Sequence, residues 1–389
     1  MKKSTKIIAH VRSSDLEEQT LEQHLSEVSL IVGRYASKIG MEKAGQLLGL
    51  MHDFGKYSQQ FQTYIQSATG LLDSDIDDDW VDSKALKGKI DHSSAGAQWV
   101  WKELSKYGSG GQGKLCGQIL ALCIASHHSG LIDCLAPDGM DGFIKRMYKN
   151  DDRTNLNECL QKADQVILDR ACKLADKNLI ISMLEQIKQI FQHMQTNQEL
   201  SNKIKAFYLG FWTRFLFSCL IDGDRINSAD FENPHYPSIR SNDDQICWDI
   251  PIERLESFLS TLQIRNHVDI VRRDISDHCK TKATNAQGIY SLTVPTGGGK
   301  TYASLRFALH HAKKHQLDRI IYVIPYTSII EQNAEAIRKV IEHNDDNKPW
   351  VLEHHSNLEP QQQTWRSKLV SENWDAPIVL TTMVQFLEA

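Results

Sequence analysis

The spacing of apolar residues changes character near residue 226, and this change restricts the chain to two domains built in different ways. Residues 14–225 show helical periodicity and no period-two strand pattern. Residues 226–251 are rich in Asn, Asp, Pro and Ser, a composition typical of linkers. We therefore predict an all-α domain over residues 1–225, a linker over 226–251 and a second domain over 252–389.

Two helices of the first domain stand out by their apolar positions. Ser14-Asp15 is predicted to cap the first of them. Its inward stripe has helical spacing and consists of Leu21, Leu25, Val28, Val32 and Tyr35. The stretch 202–221 is predicted to be a central buried helix, with apolar positions at Phe207, Phe211, Phe215, Leu216 and Leu220.

Short apolar segments alternate with helical patterns in the second domain. The predicted strands are residues 289–294, 319–324, 351–352 and 378–381. Such alternation predicts a parallel, doubly wound α/β sheet.

Composition limits where the protein works. The chain has 389 residues, enough for two cores, and a net charge of −5, which leaves nucleic-acid binding to a local basic groove. Its eight cysteines form no C-x-x-C pair, so we expect reduced thiols and no zinc knuckle. Because no run of eighteen apolar residues and no signal-like N-terminus occurs, we expect no membrane span and a cytoplasmic location.

An ordered series of metal-ligand residue types runs through the helical domain: His24, His52, Asp53, His92, His127, His128 and Asp222. His24 lies on an apolar stripe and points inward, whereas the His52-Asp53 doublet and the His127-His128 pair end helices. Helix ends bring side chains from several segments to one point, and one carboxylate can bridge two cations. The series predicts a two-metal site for phosphodiester hydrolysis. The ligands tolerate manganese, nickel, cobalt, iron or magnesium.

Each histidine taken singly is also typical of a hydrogen-bonded core residue. A second pair, His354-His355, lies in the other domain without an adjacent His-Asp doublet, so we expect no metal there.

A phosphate-binding loop is predicted at residues 293–301, with the sequence TVPTGGGKT. Glycine amides would cradle the phosphates of ATP, Lys300 would reach the β and γ oxygens, and Thr301 would bind magnesium. Val294 replaces the first glycine of the general P-loop pattern. The ATP-binding residues predicted here are Thr296, Gly297, Gly298, Gly299, Lys300 and Thr301.

The series H…HD…H…HH…D resembles the HD superfamily of metal-dependent phosphohydrolases. The segments HDFGKYS at 52–58, DHSSAGA at 91–97 and SHHSG at 126–130 resemble one branch, the CRISPR-associated nuclease-helicases of type I interference systems.

This resemblance implies one cation on His24, His52, Asp53 and Asp222, and another on Asp53, His92, His127 and His128. Lys56 would then lie near the scissile phosphate or brace the doublet beside the catalytic Asp53. A solvated loop lysine is the alternative.

The P-loop form is similar to that of superfamily 2 helicases, and the two resemblances together imply an HD-type helical domain followed by a partial RecA-like domain. The segments 320–333 and 379–386 resemble helicase motifs that touch the DNA backbone. In this chain the contacts would come from Thr327, Ser328, Thr381 and Thr382. For Thr381-Thr382 the alternative is a strand end with a helix N-cap.

The function implied is cleavage of single-stranded DNA, coupled in the intact protein to ATP-driven translocation with magnesium. An RNA-guided surveillance complex would recruit the protein. No acidic Walker B motif follows the P-loop, so we interpret the chain as a fragment that does not hydrolyse ATP alone. The alternatives are an HD phosphohydrolase for nucleotides and a non-catalytic module around a structural ion.

Overall fold

The computed structural model divides the chain into two compact units, residues 1–234 and 235–389. The division falls inside the predicted linker. The structure describes residues 6–72, 81–82, 85, 90–108, 110–194, 201–234, 246–343, 346, 349–355, 374 and 376–388.

The first unit is helical apart from a short hairpin. Its described strands are β1 (Ile8–Val11) and β2 (Glu18–Thr20), and its helices are α1 (Leu21–Ser37), α2 (Glu42–Met51), α3 (Gln59–Ala68), α4 (Ser94–Ser105), α5 (Gln112–Ser126), α6 (Gly142–Met147), α7 (Asp151–Thr154), α8 (Leu156–Lys162), α9 (Gln165–Leu174), α10 (Lys177–Met194) and α11 (Asn202–Glu232). A 3-10 turn, Phe54–Tyr57, follows α2.

The N-terminal hairpin corrects two expectations. Residues 8–11 and 18–20 pair antiparallel, so the domain is not purely helical. Helix α1 begins at Leu21 and is capped by Thr20, whose side chain accepts from the Gln23 amide at 3.2 Å. The cap predicted at Ser14-Asp15 is therefore wrong, because those residues lie in the turn between the strands.

Glycines bring α2 against α1. A Cβ added to Gly49 would lie 2.5 Å from the Ser29 Cα, and one added to Gly45 would lie 2.6 Å from the Val32 carbonyl oxygen. Because only glycine fits such contacts, the end of α2 is held close to α1. His52, which follows α2, thereby comes close to His24.

Helix α11 is longer and less buried than predicted. It continues to Glu232, so residues 226–232 are helical and do not belong to the linker. Leu216 and Leu220 are buried, whereas Phe207 and Phe211 are 69% and 66% exposed, since only one side of the helix faces the core.

Among the described residues, α11 is the one helix long and apolar enough to cross a membrane. An 18-residue window of it has a mean hydropathy of 1.3. Core helices of soluble proteins can have the same length and apolar composition. This helix also places Asp224 and Asn227 in a polar cluster.

The second unit is a parallel α/β structure. Its described elements are α12 (Asp249–Thr261), α13 (His267–Lys282), α14 (Lys300–His315), β3 (Ile320–Val323), α15 (Thr327–Ile341), β4 (Val351–His354), β5 (Ile378–Thr381) and α16 (Met383–Glu388). The strand order is β3-β5-β4, and both pairs are parallel, with Ile320 and Val351 each opposite Ile378.

The strand predicted at residues 289–294 does not form. These residues are not in an extended, hydrogen-bonded strand, and Ile289 is fully exposed. A strand requires a neighbouring backbone as hydrogen-bonding partner, and among the described residues β3 and β4 pair with β5, while residues 289–294 pair with none of the three.

Candidate metal centre and phosphate loop

Two groups of ligand atoms meet at Asp53 in the first unit. Within each group the atoms lie no more than 4.8 Å apart. The first group is His24, His52, Asp53 and Asp224, and the second is Asp53, His92, His127 and His128. Six of the seven residues predicted from the sequence are therefore brought together.

Helix ends place the central residues. His52 caps α2, Asp53 opens the 3-10 turn, and His127 caps α5. The Gly55 amide donates to the His92 carbonyl oxygen at 3.0 Å, and a Cβ on Gly55 would lie 2.4 Å from that oxygen. The main chain thus joins the two ligand groups directly.

Asp53 faces both groups through different oxygens. Its Oδ1 lies 3.2 Å from His127 Nε2 and 3.6 Å from His92 Nε2. Its Oδ2 lies 3.4 Å from the Nε2 atoms of both His24 and His52. Ligand atoms sharing a cation at about 2.1 Å are separated by about 3 to 3.4 Å, so the spacing fits two cations bridged by this carboxylate.

The imidazoles present the same nitrogen to the site. Four of them use Nδ1 to donate to an oxygen outside the cluster: His24 to Asn227 Oδ1 at 2.7 Å, His52 to the Gly49 carbonyl at 2.9 Å, His92 to that of Ile90 at 3.1 Å and His127 to that of Ile124 at 2.7 Å. When these four imidazoles are neutral, each therefore presents Nε2 as its ligand atom. The Nε2 atoms of His92 and His128 approach to 2.5 Å.

In the absence of cations, burial and neighbouring charges shift the pKa values of the side chains in the site. Burial raises the pKa of Asp53, but Lys56 and His52 outweigh it and hold this pKa well below its usual range. Burial lowers the pKa of His52, but Asp53 and Asp224 outweigh it and raise this pKa to about 10. Burial lowers the pKa of His92 to about 4, and burial together with His127 lowers that of His128 to about 3.

Lys56 is buried and braces the doublet. Its Nζ lies 2.7 Å from Asp53 Oδ2, so it is not a solvated loop lysine. Gln62 holds the surrounding backbone, because its Nε2 donates to the carbonyls of Lys56 and Ile8 at 2.8 and 2.9 Å.

The carboxylate that α11 brings into the first group is Asp224, which corrects the predicted Asp222. Asp224 Oδ1 lies 3.5 Å from the Nε2 atoms of both His24 and His52. Residues two positions apart on a helix differ by a rotation of about 200° around its axis. Asp222 is therefore directed away from the side chains that lie close to Asp224. The signal was available, since Asp224 follows buried Leu220 by four residues and precedes buried Asn227 by three.

Sequence reasoning also missed His10 and Asn227. The His10 ring packs edge-on against the His24 ring, with their centroids 4.8 Å apart. Asn227 Oδ1 accepts a hydrogen bond from His24 Nδ1. His10 lies on a strand that was not predicted, and a single Asn in a helix carries no ligand signature.

The phosphate loop of the second unit has the backbone that its glycines require. Gly297 and Gly299 have positive φ angles of 83° and 77°, and Lys300 begins α14. A Cβ on Gly298 would lie 2.2 Å from Val294 Cγ1. Thr301 Oγ1 donates to Asn333 Oδ1 at 2.8 Å, and Thr296 is exposed.

A cavity of about 790 Å³ opens beside this loop, with Gly299, Tyr302, Arg272 and Arg273 in its lining. Arg272 Nε donates to the Gly297 carbonyl at 2.8 Å.

The four predicted DNA contacts have different surroundings. Thr327 and Ser328 open α15, and Ser328 is exposed. Thr382 caps α16, accepting from the Gln385 amide at 3.2 Å. Thr381 is fully buried and donates to the His354 carbonyl at 2.8 Å, which corrects its assignment as a DNA contact.

A third group of ligand types gathers Glu331, Glu353 and His355 in the second unit. Arg338 Nη1 already lies 2.8 Å from Glu353 Oε2, so a cation would have to compete with a guanidinium.

Comparison with known proteins identifies the helical unit. Residues 14–210, a little over half of the chain, match the family described as Cas3, HD domain. The chain belongs to this family. Residues 253–388 match the family described as Type III restriction enzyme, res subunit. The predicted fold class, a helical HD-type domain followed by a partial RecA-like parallel α/β domain, is confirmed.

Individual relatives are distant and longer. The CRISPR-associated nuclease/helicase Cas3 of Haloferax volcanii is 22% identical over 98% of this chain and 44% of that relative. The crystal structure of T. fusca Cas3-ADP shows 15% identity and a TM-score of 0.49, covering 97% of this chain and 43% of that one. The crystal structure of T. fusca Cas3-AMPPNP shows 14% identity and a TM-score of 0.48, covering 99% of this chain and 44% of that one. The chain spans less than half the length of these relatives.

Proposed function

We propose that the first unit is a metal-dependent nuclease that hydrolyses phosphodiesters of single-stranded DNA. The observation that carries this proposal is the convergence of two ligand groups on the buried carboxylate of Asp53. Cations held by these two groups would neutralise charge on the phosphodiester and would activate water for in-line attack. The name of the Haloferax volcanii relative, a nuclease/helicase, supports the same reaction class.

The chain's own residues divide the work. Asp53 separates and bridges the two groups, and Lys56 neutralises and orients it from the buried side. Lys56 is therefore assigned as a positioning residue.

Substrate would approach from the His128 edge of the site. The side chain of His128 is 50% exposed, whereas those of His24, His52 and His127 are inaccessible.

The second unit is proposed to bind ATP with magnesium at Lys300 and Thr301 and to be part of a DNA-translocating helicase in the longer protein. Helix α14 directs its N-terminus at the loop, a geometry suited to phosphate, and the adjacent cavity is large enough for a nucleotide. Thr327, Ser328 and Thr382 remain the proposed DNA contacts. The partner proposed is an RNA-guided CRISPR surveillance complex in the cytoplasm.

The decisive test is degradation of circular single-stranded DNA by the chelator-treated chain after addition of manganese, nickel, cobalt, iron or magnesium. We expect cation-dependent loss of circles with the wild type and none with Asp53→Ala. Circles are used because an exonuclease that requires an end cannot start on them.

A nucleotide phosphohydrolase is the competing function, since the HD superfamily includes such enzymes. Deoxynucleoside triphosphates and cyclic nucleotides are therefore offered in parallel. Intact circles with hydrolysed nucleotides would replace the proposal, and intact substrates of both kinds in a folded, cation-loaded protein would indicate a structural ion site.

A further inference from the structure

His24 is held differently from the other imidazoles of the cluster. His52, His92 and His127 donate their Nδ1 protons to main-chain carbonyls. His24 donates instead to a side-chain amide, Asn227 Oδ1, at 2.7 Å. Its orientation therefore depends on a residue that mutation can remove without altering the backbone.

The orientation of the Asn227 amide is itself determined. Asn227 Nδ2 donates to Glu27 Oε2 at 2.6 Å. Because a carboxylate only accepts, the amide nitrogen must face Glu27 and the oxygen must face His24. Gln19 Nε2 supports this arrangement by donating to both Asn227 Oδ1 and Glu27 Oε2, at 3.1 and 3.3 Å.

The network is shielded from water. Asn227 is 5% exposed, Gln19 1% and His24 0%. Solvent therefore cannot replace a lost partner easily, and the Nδ1–H form of His24 follows from the side chains alone.

We propose that Asn227, oriented by Glu27, is a positioning residue that fixes His24 as an Nε2 ligand and sets the affinity of the cation held by His24, His52 and Asp224. The other cation should be insensitive to Asn227, because main-chain carbonyls orient its ligands His92 and His127. This inference rests on the proposed two-cation site. Asp224 and Asn227 lie one turn apart on α11, so a single helix supplies one ligand and orients another.

Outer partners of metal-bound histidines change metal affinity by about 10- to 100-fold. The same loss is expected here for one cation of the two. Manganese titration of the chelator-treated chain by calorimetry measures it, with the visible absorption of bound cobalt as a second readout.

The first variant is Asn227→Leu, which keeps the number and branching of the side-chain heavy atoms and removes all three hydrogen bonds of Asn227. We expect one manganese site to weaken by about 10- to 100-fold and the other to stay within about twofold of wild type. Asn202→Leu, at the exposed start of the same helix, is the matched control and should bind like wild type.

A charge swap tests the hydrogen-bond chain itself. Asn227→Asp alone places two carboxylates in contact and should weaken the same cation. Adding Glu27→Gln restores a donor opposite the new carboxylate, so the double variant should recover both manganese sites. This rescue would not occur if Asn227 merely filled space.

The outcomes are separable. If wild type binds none of the five cations used in the cleavage test, the proposed function fails. If wild type binds two cations and Asn227→Leu binds both equally well, the inference alone fails. The inference also fails if Asn227→Leu is folded, as judged by circular dichroism, and binds both cations equally more weakly. If Asn227→Leu does not fold, the double variant decides: recovery of both manganese sites supports the inference, and no recovery overturns it.

Discussion

The two units solve the problem of holding charged ligands in opposite ways. In the helical unit, most side chains of the site are buried and fixed by hydrogen bonds within the same unit, and His128 forms its exposed edge. In the α/β unit, the phosphate loop is made of main chain, its lysine is exposed, and the segment before it pairs with no described strand. A site built from packed side chains thus takes its shape from residues distant in sequence, whereas the phosphate loop takes its shape from the conformation of a few consecutive glycines.

The strongest test of this contrast is Asp53→Ala. Because one carboxylate serves both ligand groups, we expect loss of both manganese sites and a roughly 10³-fold fall in cleavage of single-stranded DNA. Lys300→Ala is the matched change in the other unit and should leave cleavage of unpaired DNA unaltered. Comparable cleavage by wild type and Asp53→Ala would contradict the two-cation mechanism.

A second test separates neighbouring carboxylates. Asp224→Ala should weaken one cation by roughly 100-fold, because it removes a direct ligand. Asp222→Ala, on the other side of α11, should bind manganese within about twofold of wild type. Calorimetric titration of both variants checks this, and the reverse order would restore the sequence-based assignment.

In the second unit, Lys300→Ala should weaken binding of a fluorescent ATP analogue by about tenfold or more, because the loop loses the charge that faces the β and γ phosphates. Lys314→Ala, at the other end of α14, serves as control. Unchanged affinity in the Lys300 variant would mean that the nucleotide binds elsewhere.

The smallest expected effect is on stability against pH. The pKa of His52 is raised from 6.5 to about 10, so in the cation-free protein its charge stabilises the fold fully below about pH 6.5, and this stabilisation is lost as pH rises to about 10. Cations displace that proton. The melting temperature should therefore fall between pH 7 and 10 in chelator and fall less with manganese. Parallel curves in the two conditions would contradict the assigned charge.

Sequence reasoning succeeded where a residue type and its helical position pointed the same way. His24 lies on the apolar stripe of α1, and it is buried in the cluster. The sequence analysis predicts Asp222 as a ligand, although only Asp224 shares a helical side with buried Leu220 and Asn227. Residue identity alone could not distinguish two aspartates that differ by a rotation of about 200°.

Burial and strand formation depend on neighbours that a sequence segment does not contain. Phe207 and Phe211 have core-like spacing, yet α11 packs through its other side. Residues 289–294 have strand-like composition, but a strand also needs a paired backbone. Asn227 and Glu27 are 200 residues apart, so no local pattern could have shown that they are bonded.

The hydrogen bond from the Gly55 amide to the His92 carbonyl gives the site a built-in reporter. That amide can exchange with deuterium only when the turn carrying Asp53 separates from the segment carrying His92. Its exchange rate thus measures how often the two halves of the centre come apart, and it does so without substrate or a spectroscopic label. A site that must keep its halves in register to hydrolyse a phosphodiester would make this amide one of the slowest to exchange in the chain.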